Sequence, residues 1–195
     1  MFGQVRFGRE FFAWLEQLEE QLTLRVAAAN CAARGGALHR SDYRRKPRGG
    51  LIAAEGEDSM VRFSLCCGRE GCRKRATPPS LRFLGRRVYL GAVVIVASMV
   101  AQALGTAKQI RGATGVPGRT VRRWLDWWRG PFLSTEVFVM LRARWVGIAV
   151  DQIPESTRAR LEGAPEERVQ TVLQLLAPLT TSSVRNGSGF LGVVL

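Results

Sequence analysis

The sequence predicts a mainly α-helical protein with one small β module between its first helix and its remaining helices. Apolar residues recur at intervals of three and four along three segments, which are residues 9–29, 132–150 and 165–176. A 17-residue run without charge, 88–104, is long enough for a further, buried helix. Residues 30–87 are short glycine-rich pieces around one extended segment, 60–65, and this composition favours a small sheet.

These patterns divide the 195 residues into four predicted parts. The first is an N-terminal amphipathic helix (1–29), and the second is the basic β module (30–87). A helical domain (88–150) comes next, followed by a C-terminal helix and a tail rich in serine, threonine and glycine (151–195). An apolar fraction of 46% excludes a disordered chain.

The charge of the chain is large and unevenly distributed. Lys and Arg number 29 and Asp and Glu number 16, which gives a net charge of +13. Residues 34–87 carry 14 basic and 5 acidic side chains (+9), and residues 106–144 carry 8 and 2 (+6). Residues 1–33 and 151–195 each sum to −1. An arginine-prone genome explains part of the excess but not its segregation, so we expect a polyanionic partner.

The first predicted helix has one apolar and one acidic face. The apolar stripe serves either core packing or a dimer contact, and it consists of Phe11, Phe12, Leu15, Leu18, Leu22 and Val26. The acidic residues assigned to the other face are Glu16, Glu19 and Glu20.

The uncharged run 88–104 requires a test for a membrane span. A span needs about 20 residues, and this run has 17, including Ser98 and Gln102. We therefore interpret it as a buried helix, with a single-span membrane anchor as the alternative. The N-terminal residues lack the apolar core of a secretory signal, so we expect a cytoplasmic protein, in which cysteines are metal ligands or reduced thiols.

Residues 106–129 have the pattern of two helices joined by a sharp turn. Thr106 can cap the first helix, Gly115 can adopt the positive φ of the turn, and Pro117 suits the start of the second helix. The residues expected to pack inward are Ile110, Ala113, Val121, Trp124 and Leu125, and those expected outward are Arg119, Thr120, Arg122 and Arg123. Trp124, Trp127 and Trp128 would clamp the second helix to the fold. Outward donors on a helix whose inner face is packed are typical of a recognition helix in a DNA major groove. The alternative is a helical hairpin that only packs against the rest of the protein.

The four cysteines are arranged like the ligands of a damaged metal site. Two knuckles of paired ligands normally converge on a tetrahedral zinc ion. The second half is present as Cys66, Cys67 and Cys72, but the position three residues after Cys31 is Arg34. We predict Cys31, Cys67 and Cys72 as ligands, completed by His39 or Cys66, although His39 does not have knuckle spacing. Zinc binding and a ribbon-shaped remnant with ordinary thiols both remain open.

Residues 30–130 resemble the zinc-ribbon proteins that accompany bacterial insertion elements and integrases. The matching motifs are Gly35-Gly36-Ala37-Leu38-His39, Tyr43-Arg44-Arg45-Lys46-Pro47-Arg48-Gly49 and Cys66-Cys67 with Cys72. Residues 106–129 also resemble the helix-turn-helix of bacterial regulators and transposases. The resemblance implies that Arg119, Thr120 and Arg123 face bases or phosphates, whereas Lys108 and Arg122 meet the DNA backbone. Arg111 is a further predicted DNA contact. It further implies contacts from Arg44, Arg45, Lys46 and Arg48, and an integrase or transposase as partner.

The leading prediction is a non-enzymatic DNA-binding protein, either an accessory of a mobile element or a regulator. A catalytic transposase or recombinase is the alternative. It would need converging carboxylates for Mg²⁺, and no triad is evident among the acids of residues 34–144, which are Asp42, Glu55, Glu57, Asp58, Glu70, Asp126 and Glu136. Tyrosine nucleophiles are limited to Tyr43 and Tyr89, and His39 is the single histidine.

Overall fold

The structure is a computed structural model that describes residues 7–45, 61–84, 89–103, 106–144 and 146–181. The helices are α1 (Arg9–Ala28), α2 (Gly91–Ala103), α3 (Ala107–Thr114), α4 (Gly118–Arg129), α5 (Glu136–Arg144), α6 (Glu155–Arg158) and α7 (Pro165–Leu176). The strands are β1 (Leu38–Arg40), β2 (Tyr43–Arg44), β3 (Val61–Arg62), β4 (Leu65–Cys67) and β5 (Arg75–Ala76). The predicted DNA contacts Lys46 and Arg48 lie outside the described residues, as does the tail from residue 182.

The prediction of a mainly helical protein with a small β module is confirmed at this level, and the structure shows that its strands pair in antiparallel fashion. Strands β1, β4 and β5 form one antiparallel sheet in that order, and β2 pairs with β3 in a second. The extended segment predicted at 60–65 is divided, because Val61–Arg62 belongs to β3 and Leu65 begins β4. Phe63 and Leu65 are buried, so this small module has an apolar interior of its own.

Helix α2 is the centre of the helical core, and it explains the uncharged run in the sequence. Every residue from Gly91 to Val100 is buried, since α2 packs against α3, α4 and α7. Gly91 permits the contact with α7, because a Cβ there would lie 2.6 Å from Leu173 Cδ2. The interpretation of this run as a buried helix is confirmed. Among the described residues, no helix has the length and apolar character needed to cross a membrane.

Two other helix predictions have different outcomes. Helix α7 begins at Pro165 as predicted, and Glu167 accepts a hydrogen bond of 2.8 Å from the Ala164 amide at its start. The single helix predicted over 132–150 is wrong. A 3-10 turn, Pro131–Ser134, precedes α5, and α5 ends at Arg144 shortly before Gly147, whose φ is +78°. That positive φ is left-handed backbone, which interrupts a helix even where apolar spacing continues.

Helix α1 matches its predicted range to within one residue. The assignment of Glu19 to the acidic face, opposite the buried residues, is wrong. Phe11, Phe12 and Leu15 are buried in the core, as predicted. Glu19 is also fully buried, because a second layer of chain, residues 80–82, covers that side of α1. Leu18, Leu22 and Val26, which form the rest of the predicted apolar stripe, are half-buried, so the stripe is less covered toward the end of the helix.

The Glu19 carboxylate connects α1 to the segment that leads out of the β module. Its Oε1 accepts hydrogen bonds from the Leu81 and Arg82 amides at 2.7 Å each and from the Ser80 hydroxyl. Its Oε2 lies 3.1 Å from Arg82 Nε and 3.0 Å from Nη2. Both side chains are fully buried, so the pair is stable only because these donors compensate the loss of water. The β module is therefore fastened to α1 by a buried ion pair.

Candidate nucleic-acid interface and metal site

The junction between α3 and α4 is a three-residue turn with defined ends. The Gln109 amide donates to Thr106 Oγ1 at 3.3 Å, and Gln109 Oε1 accepts from the Thr106 amide at 3.2 Å, so α3 begins with a capping box. Gly115 ends α3 with φ +67°, and its amide donates to the Arg111 carbonyl at 2.8 Å. Helix α4 begins directly after Pro117. The predicted cap, turn glycine and helix-opening proline are each at the expected place.

Packing between α3 and α4 is close and mostly apolar. Val116 and Val121 are fully buried, and Ile110 is half-buried. A Cβ at Gly118 would lie 2.8 Å from Ala107 Cβ, so the two helices approach each other at a position that only glycine fills. The inward orientation predicted for Ala113 is wrong, since this residue is exposed. Thr114, four residues after Ile110 on the same helix face, is buried in its place.

Aromatic residues hold α4 against the core, as predicted for the three tryptophans. Trp128 Nε1 donates to Ser98 Oγ on α2 at 3.1 Å, and the Trp124 ring lies edge-on to Tyr89 at 5.0 Å. Trp127 contacts the Phe132 ring at 5.3 Å. The orientation of α4 is thus fixed by its inner face, and this determines which residues face solvent.

The outer face of α4 is basic and exposed. Arg119, Arg122 and Arg123 are all exposed, and their spacing of three and four residues places them on one side of the helix. Their side chains form no hydrogen bond or ion pair with any residue that the structure describes. Thr120 is half-buried, whereas Lys108 and Arg111 are exposed on α3. Residues 107–129 contain six basic side chains and one acid, so this surface is strongly positive.

The arginines of the β module differ, because many of them contact the protein itself. Arg62 donates to the Pro78 carbonyl at 2.5 Å, Arg69 to the Arg34 carbonyl at 2.7 Å, and Arg75 to the Ser41 carbonyl at 2.9 Å. Arg45, a predicted DNA contact, is half-buried with its guanidinium 5.8 Å from the rings of Tyr43 and Phe83. Arg44, on β2, is exposed. Sequence composition does not distinguish such internal arginines from those that face solvent.

Three cysteine thiols meet at one end of the β module. Cys31, Cys67 and Cys72 have their Sγ atoms within 4.8 Å of one another, and the Cys31–Cys72 separation is 3.8 Å. A tetrahedral ion with metal–sulfur distances of about 2.3 Å holds its thiolates about 3.8 Å apart. The three cysteines could therefore hold a metal ion without rearrangement of the backbone.

Backbone amides affect the pKa of two of these thiols. The amides of Ala33 and Arg34 lower the pKa of the Cys31 thiol. The Arg69 amide acts in the same direction on Cys67, but burial and the neighbouring thiols of Cys72 and Cys31 together outweigh it and raise the pKa of that thiol. Amide donors of this kind stabilise sulfur as thiolate, which is the form that binds metal.

The structure does not bring His39 or Cys66 to this cluster, contrary to the predicted completion of the site. His39 and Cys66 are opposite each other in the β1–β4 register. Directly paired residues share one face of a sheet, and the next residue along a strand points to the other face. His39 and Cys66 therefore lie on the face opposite to the Cys67 thiol. The His39 ring instead packs against Gly68, where a Cβ would lie 2.5 Å from Nε2.

Comparison of the chain with protein-family models, with curated proteins and with solved structures gives no match in any of the three.

Proposed function

We propose that this protein binds duplex DNA, with α3 and α4 acting as a helix-turn-helix and α4 entering the major groove. The observation that carries the proposal is the row of exposed arginines on the outer face of a helix whose inner face is fixed by buried aromatic residues. A rigid helix with outward guanidinium groups can contact phosphates and the O6 and N7 atoms of guanine. Arg119, Thr120 and Arg123 are the proposed contacts to bases or phosphates.

The remaining proposed contacts are to the DNA backbone. Lys108 and Arg111 on α3 and Arg122 on α4 are exposed cations beside the same turn, where they can neutralise phosphates. Arg44 on β2 extends this set to the β module. We assign Arg45 a smaller part, because its side chain is already packed against two aromatic rings.

The proposed role is that of a non-catalytic accessory or regulator linked to a mobile element. The motifs shared with zinc-ribbon proteins of insertion elements support this role, and they make an integrase or transposase the proposed partner. In this proposal the three-cysteine cluster holds zinc as a structural ion, which supplies rigidity to strands of only two or three residues.

A gel-shift experiment across a salt series tests the DNA proposal. The unaltered protein should bind duplex DNA with an affinity that falls steeply as salt increases, because bound counterions are released. Changing Arg119, Arg122 and Arg123 together to Ala should weaken binding at least about tenfold and reduce the logarithmic salt slope by up to about three. Unchanged affinity in this variant would overturn the proposal.

A matched control removes the same charge elsewhere. Arg9 and Arg25 are exposed on α1, and Arg160 is exposed beyond α6. Changing these three to Ala should leave the salt slope within experimental error of the unaltered protein. An equal loss in the control would show that binding depends on net charge alone, and it would contradict the assignment to α4.

A further inference from the structure

We propose that Cys31, Cys67 and Cys72 form a three-thiolate site for a divalent metal ion, whose fourth ligand is a small soft anion taken from solution. Arg34 stands where a protein ligand would complete the site. The inference rests on the proposed metal site and adds the identity of its missing ligand, which is a small thiolate or a donor of similar chemistry. It does not depend on the DNA proposal.

The turn after Cys31 has the form of a metal knuckle. The Cys31 carbonyl accepts hydrogen bonds from the Arg34 amide at 3.3 Å and from the Gly35 amide at 2.7 Å, and Gly35 has φ +66°. In knuckles with two intervening residues, the second ligand is three positions after the first. That position is Arg34, whose guanidinium has no electron pair to donate to a metal.

No other side chain that the structure describes takes this fourth position. The thiol cluster contains three residues, and Cys66 and His39 lie on the other face of the sheet. The Cys66 thiol donates to the Arg73 carbonyl at 3.6 Å. A divalent ion bound by the three thiolates therefore keeps one coordination position for a ligand from outside the described chain, as open zinc sites do.

The charge around the cluster favours an anion at that position. Three thiolates and a divalent ion together carry one negative charge, while Arg34, Arg69, Arg73 and Lys74 are exposed on the two turns that supply the ligands. Arg69 is held beside the turn by its 2.7 Å hydrogen bond to the Arg34 carbonyl. A sulfur-rich ligand set also favours soft donors. A small thiolate satisfies both conditions.

Co²⁺ is a direct probe of this site, because its visible and near-ultraviolet absorption reports the number of thiolate ligands. The full chain should bind one Co²⁺, and added 2-mercaptoethanol should increase the sulfur-to-cobalt absorption as the small thiolate enters the fourth position. In Arg34→Cys, the site should bind Co²⁺ on the order of 100-fold more tightly, since even outer-shell partners contribute 10–100-fold. This variant should no longer respond to 2-mercaptoethanol.

Two control variants identify any protein ligand that the inference overlooks. Cys66→Ser and His39→Ala should leave both the Co²⁺ spectrum and its response to 2-mercaptoethanol unchanged. Loss of absorption in either variant, or an unaltered protein that ignores the added thiol while it binds Co²⁺, would overturn the inference and leave the metal site standing. Failure of the unaltered chain to bind Co²⁺ would overturn both the proposed metal site and the inference about its fourth ligand. The thiol response of the unaltered chain decides the matter even where Arg34→Cys does not fold.

Discussion

The arginines of the β module and those of α4 differ in what they contact. In the module, Arg62, Arg69 and Arg75 donate to backbone carbonyls, and Arg82, in the segment leading out of it, is buried against Glu19. On α4, Arg119, Arg122 and Arg123 are exposed and have no hydrogen-bonding partner among the described residues. A segment with high positive charge is therefore not necessarily a binding surface. In the module part of the charge holds short strands together, although Arg34, Arg73 and Lys74 are exposed, whereas on α4 all three arginines of the outer face are accessible to a partner.

The two regions also differ in how they are stabilised. The helical core is built around α2, whose first ten residues are all buried, so apolar burial alone is a large contribution. The β module has few buried apolar residues and strands of two or three residues. Polar contacts and the three-cysteine cluster must supply the rest. This contrast can be tested by changing one region at a time.

The largest loss of stability is expected for Glu19→Gln. This change keeps the shape of the side chain but removes the buried counter-charge of the Arg82 guanidinium, which then has the partly exposed Glu16 carboxylate 3.1 Å from its Nη1. It also replaces one of the two accepting carboxylate oxygens with an amide NH2 group, which faces other donors in either orientation. Removal of one partner from a buried pair costs about 3–5 kcal/mol. Chemical denaturation followed by circular dichroism measures this free energy of unfolding.

Glu20→Gln is the matched control for that change. Glu20 pairs with Arg40 at 2.8 Å, but its side chain is 44% exposed. Exposed ion pairs contribute about 0–1 kcal/mol, so a small loss is expected here. Similar losses in the two variants would contradict the assignment of Glu19 as the fastening between α1 and the β module.

Addition or removal of Zn²⁺ should change stability less than Glu19→Gln does, and mainly within the β module. Zn²⁺ should stabilise the module by up to about 2.7 kcal/mol at a free-ion concentration roughly 100 times Kd, the value that applies when the unfolded chain does not bind the ion. Amide hydrogen exchange should then slow in β4 and β5 on addition of Zn²⁺ and return to its initial rate with a chelator. Amides of α2 should change little, since that helix has its own apolar core.

Cys67→Ser provides the comparison for this measurement. The variant lacks one of the three clustered thiols, and its β4 and β5 amides should exchange at the same rate with and without Zn²⁺. Equal protection of α2 and β4 by the ion in the unaltered protein would show that the two regions unfold together. In that case the division drawn between them would be wrong.

The sequence predicts those features that depend on local pattern. The periodicity of α1 and α7, the uncharged run of α2 and the glycine at position 115 each reflect a rule that acts over a few residues. The three clustered cysteines could also be predicted, because soft ligands near one another in a basic module indicate a common site.

Other features depend on contacts between distant segments, which local patterns do not contain. Glu19 belongs to the polar stripe of α1 by spacing, and only the chain at residues 80–82 makes that stripe an interior one. His39 lies apart from the three-cysteine cluster because of strand register, since one residue of shift decides which face of a sheet it occupies. Helix α5 ends at Arg144, and the positive φ of Gly147 excludes a continuous helix through residue 150, although the apolar spacing continues past it.

The smallest change in stability is expected where the charge is most exposed. Changing Arg119, Arg122 and Arg123 together to Ala should alter the free energy of unfolding by no more than about 0.5 kcal/mol per site, because exposed helix positions tolerate Ala well. Removal of three like charges from one face should itself be slightly favourable. The same denaturation experiment that measures Glu19→Gln gives this value. A loss of stability as large as that of Glu19→Gln would mean that these arginines also stabilise the fold, and it would contradict the contrast between α4 and the β module. A small loss of stability together with weakened DNA binding would show that these arginines act in binding and not in folding.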